Sequence, residues 1–208
     1  MHHESLALGL HEAGCIQFGR FKLKSGMISP NYLDLRLLVS DPVILWKTAG
    51  ALAEIVRGLP GPDGQPTRPP LTFNRIGAIP YAALPLGVAL SLTINRPMIY
   101  PRKEVKTYGT SRPIEGRFEP GEKILLLDDL ITRGDSKLEA IAPLENAGLV
   151  VEDILVIVDR EQGGADVLAK HGYRLYSLLT MREMLNILAR HEAISPEQYA
   201  EVLDYLNE

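Results

Sequence analysis

The sequence KILLLDDLITRGDSKLEAIAPLENA, residues 123–147, changes its pattern twice. Residues 124–127 are all aliphatic, a run too short for a helix but of the usual length for a strand buried on both faces of a parallel sheet. Two acids end this run, and over residues 136–144 apolar side chains recur at helical spacing. The sequence therefore predicts a buried strand, a turn and a helix in direct succession.

The predicted turn carries the chemistry of a ligand site. Ligands of open α/β sheets bind beyond the carboxyl ends of the strands, where a helix N-terminus offers free N–H groups to a phosphate. Thr132 and Ser136 add hydroxyl donors, and Gly134 lets the backbone bend around an anion. Asp128 and Asp129 suit sugar hydroxyls, or water on a metal ion. These residues indicate a sugar phosphate; the alternative is that the acids only end a strand and cap a helix.

The order of residue types in this stretch resembles a known motif. A hydrophobic strand, two acids, two apolar residues, Thr, a variable residue and Gly form the 5-phosphoribosyl 1-pyrophosphate (PRPP) motif of type I phosphoribosyltransferases. The resemblance implies an α/β fold with a central, mainly parallel, twisted sheet flanked by helices. It also implies a small hood built from the N-terminal and C-terminal segments, with residues 1–40 supplying the first part.

Length and composition narrow the class of protein. A chain of 208 residues, 46% hydrophobic and 23% charged, fits one globular domain over residues 1–208. A net charge of -4 gives no basic field for nucleic acid, and no apolar run approaches the ~20 residues that cross a bilayer. A single cysteine, Cys15, excludes an intramolecular disulfide and favours a reducing compartment. With no signal peptide pattern at the N-terminus, we expect a cytoplasmic protein without nucleic-acid or membrane partners.

The rest of the chain alternates between helical and extended patterns. Apolar periodicity and capping residues predict further helices and strands on either side of the central stretch. The predicted helices are 5–13, 42–56, 82–92, 181–190 and 195–207, and the predicted strands are 71–76, 97–100, 151–158 and 173–178. The Pro- and Gly-rich composition of residues 57–70, RGLPGPDGQPTRPP, predicts a surface insertion, to which we assign no function.

Two loops are predicted near the acids. The loop GAIPYAALPLG, residues 77–87, follows a strand and therefore lies on the same rim of the sheet as Asp128. Residues 101–116, PRKEVKTYGTSRPIEG, are basic and lack apolar periodicity, which predicts a mobile loop. Such a loop is suited to grip a pyrophosphate leaving group and exclude water, although a solvated charge run is the simpler alternative.

Two single basic residues outside these loops are also candidates for binding an anionic ligand. Lys24 stands beside a Ser-Gly turn in FKLKSGMISPNYLDLR, residues 21–36, where it either binds an anion or is solvated. Arg160 begins REQGG directly after a predicted strand, and its guanidinium suits a planar carboxylate.

The order of four segments along the chain narrows the resemblance to one family among the type I phosphoribosyltransferases. The segments containing Lys24, the basic loop, the acid pair and Arg160 follow each other as they do in orotate phosphoribosyltransferases, closest to the form fused to a decarboxylase in animals. The resemblance covers nearly the whole chain except residues 57–70. It implies transfer of phosphoribose from PRPP to orotate with Mg²⁺, giving orotidine 5′-monophosphate and pyrophosphate. It also implies a homodimer in which loop 101–116 reaches the neighbouring active site.

The resemblance assigns roles to residues by position. Asp128 and Asp129 are expected to hold the ribose hydroxyls, with Mg²⁺ carried by PRPP and at most bridged to them through water. Residues 132–136 are expected to cradle the 5′-phosphate, and Lys24 and Arg160 to meet orotate or pyrophosphate. The remaining expected substrate and catalytic residues are Arg102, Lys103, Lys106, Tyr108, Tyr81 and the backbone of Tyr32 and Leu33.

The chain departs from the family in the phosphate turn. Arg133 stands where small residues are usual, and Asp135 where a hydroxyl residue is usual. A carboxylate within ~4 Å of a phosphate would repel it, unless Arg133 pairs with Asp135 or with the phosphate. Two alternatives therefore stay open beside an active orotate phosphoribosyltransferase. They are a phosphoribosyltransferase for another base and a non-catalytic PRPP-binding regulator.

Overall fold

The computed structural model describes residues 2–22, 26–58, 68–102 and 113–207. Within these ranges helices and strands alternate along most of the chain. The helices are α1 (His2–Glu12), α2 (Pro42–Arg57), α3 (Ala83–Ile94), α4 (Asp135–Asn146), α5 (Gly164–Lys170), α6 (Met181–Arg190) and α7 (Pro196–Asn207). The strands are β1 (Ile16–Lys22), β2 (Ile28–Leu33), β3 (Arg75–Ala78), β4 (Met98–Pro101), β5 (Ile114–Glu115), β6 (Lys123–Ile131), β7 (Val150–Asp159) and β8 (Arg174–Thr180). A 3₁₀ helix covers Leu35–Ser40.

Strand β6 lies inside a six-stranded sheet of order β5-β4-β3-β6-β7-β8. It pairs in parallel with β3 on one side and β7 on the other, and only the short β5 runs antiparallel. Residues 124–127 are almost completely buried, as the aliphatic run predicted. The predicted mainly parallel sheet is therefore confirmed.

Helices cover both faces of this sheet. Leu125 and Leu127 of β6 point into a core shared with α1, α2, α3 and α6, whereas Ile124 and Leu126 point into a second core shared with α4 and α5. This alternation is the two-residue period of a strand. No helix in the described ranges is long and apolar enough to cross a membrane.

The N-terminal segment forms the predicted hood. Strands β1 and β2 pair antiparallel as a separate two-stranded sheet, and α7 from the C-terminal end of the chain packs against β2. The last helix begins with the predicted capping box, because Gln198 N donates to Ser195 Oγ at 3.2 Å and Ser195 N donates to Gln198 Oε1 at 2.9 Å.

The structure also contains elements that the sequence analysis did not predict. Strand β5 has two residues and α5 has seven, so neither is long enough to show a period. The 3₁₀ helix Leu35–Ser40 was likewise not predicted, and β3 begins at Arg75 rather than at residue 71. Residues 59–67 of the predicted insertion lie outside the described residues, while Arg57 ends α2.

The packing of α5 against β6 gives a testable expectation. A Cβ on Gly164 would lie 2.6 Å from the Thr132 carbonyl oxygen and 2.6 Å from Ile131 Cγ1. We expect Gly164→Ala to lower the free energy of unfolding by about 1–3 kcal/mol, because the backbone next to the acids must move. Urea unfolding measures the change. Gly50→Ala is the matched control, since nothing lies within 4 Å of its Cβ; equal stabilities of the two variants would contradict the expectation.

Candidate functional site

A cleft of about 670 Å³ opens at the carboxyl edge of the sheet. We call it the central cleft. Its walls come from the loop after β3, the end of β4, the end of β6 and the first turns of α4. The lining includes Tyr81, Arg102, Asp128, Asp129, Thr132, Ser136, Lys137 and Glu139. The structure thus brings together residues that the sequence analysis had selected separately.

The phosphate turn, residues 132–136, joins β6 to α4 at the floor of this cleft. Gly134 has φ 92°, a left-handed conformation that residues with a side chain rarely adopt, and it caps α4. Thr132 and Ser136 line the cleft. The turn therefore combines two hydroxyl groups with the N-terminus of a twelve-residue helix, which favours an anion.

Arg133 and Asp135 are both exposed and belong to the same turn. Within the described ranges the structure records no ion pair between them. Asp135 is the first residue of α4, where the positive end of the helix dipole favours an acid. Neither residue is among those lining the central cleft.

The two acids at the end of β6 differ in their hydrogen bonds. Asp128 accepts from Asp129 N at 2.9 Å through Oδ1 and pairs with Lys137 Nζ at 2.6 Å through Oδ2. Asp129 accepts from Leu130 N at 2.8 Å through Oδ1. Burial raises the pKa of Asp129 to about 7, and the neighbouring charge of Asp128 adds to this effect.

Lys137 is a site residue that the sequence analysis missed. Its side chain is only 4% exposed, and its ammonium also donates to the Leu130 carbonyl oxygen at 2.5 Å. The buried residues of α4 are Lys137, Ile141 and Leu144. The signal was present in the sequence, because Lys137 precedes Ile141 by four residues and Leu144 by seven.

Arg160 lies directly after β7 and faces the hood. It is 8% exposed, and its Nη2 lies 3.5 Å from Asn31 Oδ1 in β2. Its Nε has no hydrogen-bond partner among the described residues. Burial lowers the pKa of the guanidinium, and the nearby Tyr205 partly offsets this effect.

The hood residues predicted to hold the base lie in β2, next to Arg160. Leu33 is buried, whereas Tyr32 is partly exposed, stacks on Phe21 at 5.5 Å and accepts a hydrogen bond from Arg36 Nη2 at 3.3 Å. The structure brings β2 and the end of β7 together through the contact between Asn31 and Arg160.

The remaining predicted residues divide into two groups. Tyr81 is 62% exposed at the rim of the central cleft, after a cis peptide bond with Pro80. Arg102 also lines the cleft and forms an ion pair with the Glu115 carboxylate. The predicted site residues that lie outside the described ranges are Lys24, Lys103, Lys106 and Tyr108.

The raised pKa of Asp129 predicts a pH-dependent stability. The folded protein keeps a proton on Asp129 up to about pH 7, whereas the unfolded chain loses it near 3.8, so the free energy of unfolding falls as pH rises between these values. Asp129→Asn cannot ionise. We therefore expect the stability of this variant relative to the unmodified protein to rise by about 3 kcal/mol from pH 4.5 to pH 8 in urea unfolding. A difference that stays constant over this range would contradict the assignment.

Comparison with known proteins gave named relatives, although a scan against protein-family models gave no match. Uridine 5′-monophosphate synthase of Bos taurus is 38% identical over 204 residues, covering 98% of this chain and 40% of the bovine protein. Orotate phosphoribosyltransferase of Caenorhabditis elegans is 36% identical over 197 residues, covering 95% of this chain and 82% of the nematode protein.

The fold has a solved counterpart. The structure of Leishmania donovani UMP synthase superposes with a TM-score of 0.87 at 37% identity, covering 98% of this chain and 42% of that one. The chain thus spans about two fifths of the length of the bovine and Leishmania proteins. Identity over most of both chains with the nematode enzyme, together with the shared fold, shows that the chain belongs to the orotate phosphoribosyltransferase family.

Proposed function

We propose that this chain transfers the 5-phosphoribosyl group from PRPP to orotate, giving orotidine 5′-monophosphate and pyrophosphate in UMP biosynthesis. The observation that carries the choice of orotate is Arg160. A buried guanidinium with an unpartnered Nε and no acid partner among the described residues is costly unless a ligand anion completes it. Orotate carries a planar carboxylate, which a guanidinium binds through two parallel hydrogen bonds.

The phosphoribosyl group fits the central cleft. The backbone N–H groups and hydroxyls of the phosphate turn suit the 5′-phosphate, and the acids at the end of β6 suit the ribose hydroxyls. The exposed side chains of Arg133 and Asp135 lie outside the lining of the cleft, so repulsion between Asp135 and the phosphate is weakened by solvent. This arrangement supports PRPP as the phosphoribosyl donor.

Mg²⁺ is part of the proposal. The donor set fits it, because carboxylate oxygens hydrogen-bond readily to the water molecules that Mg²⁺ retains, and Asp129 lines the cleft. When bound, Mg²⁺ neutralises charge on the pyrophosphate of PRPP. The protein's own contribution is to orient the two substrates and to place Arg102 beside the departing pyrophosphate. Lys103 and Lys106 are proposed to complete this contact.

The proposal places the reaction in the cytoplasm. The only cysteine, Cys15, is fully buried, and burial raises the pKa of its thiol to about 11, so the chain carries neither a disulfide nor a reactive thiolate.

Turnover tests the function directly. When the purified protein is mixed with orotate, PRPP and Mg²⁺, we expect it to consume orotate, measured as the loss of orotate absorbance. We expect no consumption of orotate when Mg²⁺ is removed or when Lys103 is changed to Ala. Arg160→Met should lower kcat/KM for orotate by about 100-fold, because one charge-assisted contact is lost, with the KM for PRPP little changed. Arg190→Met, on an exposed arginine of α6, is the matched control.

The same assay separates the alternatives. A phosphoribosyltransferase for another base would leave orotate unconsumed and turn over a different base with PRPP. A non-catalytic regulator would bind PRPP without turnover of any base. Activity that emerged only in Asp135→Ser would show that the acid disables the phosphate turn of the natural chain.

A homodimer is the second part of the proposal. Helices α2 and α3 pack against each other and expose large apolar side chains, namely Val43, Trp46, Val88 and Leu92. Trp46 is 70% exposed and Leu92 79% exposed, which is unusual for residues of this size. A second copy of the chain on this surface would bury them, and we propose that the loop of residues 101–116, most of which lies outside the described residues, is shared between the two active sites.

Changing the exposed tryptophan tests the dimer. We expect Trp46→Glu to raise the dissociation constant of the dimer by at least about tenfold, because a charge would replace a large apolar side chain that the second copy buries. Analytical ultracentrifugation over a range of protein concentrations measures it. Val150→Glu changes an exposed apolar residue at the start of β7 and should have no effect. A monomeric unmodified protein at every concentration would refute the dimer.

A further inference from the structure

Lys137 is the only buried lysine in the described ranges. It lies in the first turn of α4, and its aliphatic part occupies the face of the helix that packs against the sheet. Burying an ammonium is unfavourable unless each of its protons finds an acceptor. Packing alone therefore does not explain a lysine at this position, since a leucine would fill the same face of the helix.

The ammonium of Lys137 contacts three separate parts of the site. It pairs with Asp128 Oδ2 at 2.6 Å, donates to the Leu130 carbonyl oxygen at 2.5 Å and lies 3.4 Å from Ser136 Oγ. These acceptors belong to the end of β6 and to the start of α4, on either side of the phosphate turn. One side chain thus ties the strand to the helix across the turn between them.

The contact changes the roles of the two acids. Each oxygen of Asp128 already accepts a hydrogen bond, one from Asp129 N and one from Lys137. Asp129 accepts from Leu130 N through Oδ1, is in hydrogen-bond contact with the Asp128 side chain, and has no lysine or arginine ion-pair partner among the described residues. Both acids line the central cleft, so it is Asp129, without such a partner, that has a carboxylate to offer to a ligand there.

The charge of Lys137 also matters for a polyanionic substrate. Two adjacent carboxylates at the floor of the cleft would repel the phosphates of PRPP. Lys137 offsets one of them within a buried pair, where the attraction is screened little by solvent. The net charge of the three groups, when all are ionised, is one negative charge rather than two.

We infer that Lys137 is a positioning residue for the ribose: its ammonium fixes Asp128 in one orientation, so that Asp129 presents its carboxylate to the ribose hydroxyls. The inference rests on the proposed phosphoribosyl transfer. Lys137 does not touch the substrate in this account. Its effect is transmitted through Asp128 and is confined to the phosphoribosyl half of the reaction, because the base is held by Arg160 and the hood.

The experiment compares four variants with the unmodified protein, namely Lys137→Met, Asp128→Asn, the two combined, and Lys123→Met. Lys123 is the matched control, since it forms an exposed ion pair with Glu152 at the opposite end of the same strand. Steady-state kinetics give kcat and the two KM values. Titration calorimetry gives the affinity for ribose 5-phosphate, a readout that needs no turnover.

Lys137→Met is expected to raise the KM for PRPP and to weaken ribose 5-phosphate binding by about tenfold, with the KM for orotate changed less than about twofold. Because Lys137 acts through Asp128, adding Lys137→Met to Asp128→Asn should cost less than about a further twofold. Lys123→Met should match the unmodified protein. Lys137→Met leaves the buried Asp128 unpaired and for that reason can fail to fold. In that case the comparison of Asp128→Asn with the double variant still shows whether Lys137 acts through Asp128.

Other outcomes overturn the inference. If the losses of the two single variants multiply in the double variant, Lys137 acts independently of Asp128. If both KM values rise together, the lysine supports the fold rather than the ribose. Absence of orotate turnover would refute the proposed function but not the positioning role of Lys137, because the affinities of the variants for ribose 5-phosphate still test that role. An unmodified protein that binds no ribose 5-phosphate would refute the positioning role as well.

Discussion

The burial of β6 on both faces is the constraint on which the site depends. A strand with parallel neighbours on both sides and helices above and below has no polar surroundings until it reaches its carboxyl end. Asp128 and Asp129 stand at that end, and the turn into α4 follows at once. Because β3 and β7 run in the same direction, the segments that follow them, with Tyr81 and Arg160, emerge on either side of the acids.

Two buried cations near this edge illustrate opposite uses of charge. The ammonium of Lys137 contacts three acceptors of the protein, so its charge holds the end of β6 and the start of α4 together. Arg160 is equally buried but has only a 3.5 Å contact with Asn31 and an unpartnered Nε. A compensated charge of this kind fixes geometry, whereas an uncompensated one provides a driving force for binding an anion. The two cations therefore differ in how far the described protein atoms compensate their charge.

Local pattern was sufficient to predict the elements with a clear period. The aliphatic run of β6, the helical spacing of α4 and the capping box of α7 each follow from neighbouring residues, and the structure confirms them. The short elements β5 and α5 have too few residues to show a period. The contact between Arg160 and Asn31 joins residues 129 positions apart, so only the packing of hood on sheet reveals it. Lys137 was missed for another reason, since a lysine on a helix is ordinarily solvated and its burial depends on Asp128.

The acid in the phosphate turn is compatible with a working anion site. Asp135 is exposed, occupies the first position of α4 and does not line the central cleft, so solvent screens its charge from a phosphate held by backbone N–H groups. Arg133 supplies an opposite charge in the same turn. A buried charge cannot be compensated in this way, which is why Asp128 requires Lys137 as a direct partner whereas Asp135 does not. Two acids seven residues apart thus have different consequences, because the depth of each side chain determines how strongly its charge acts on its surroundings.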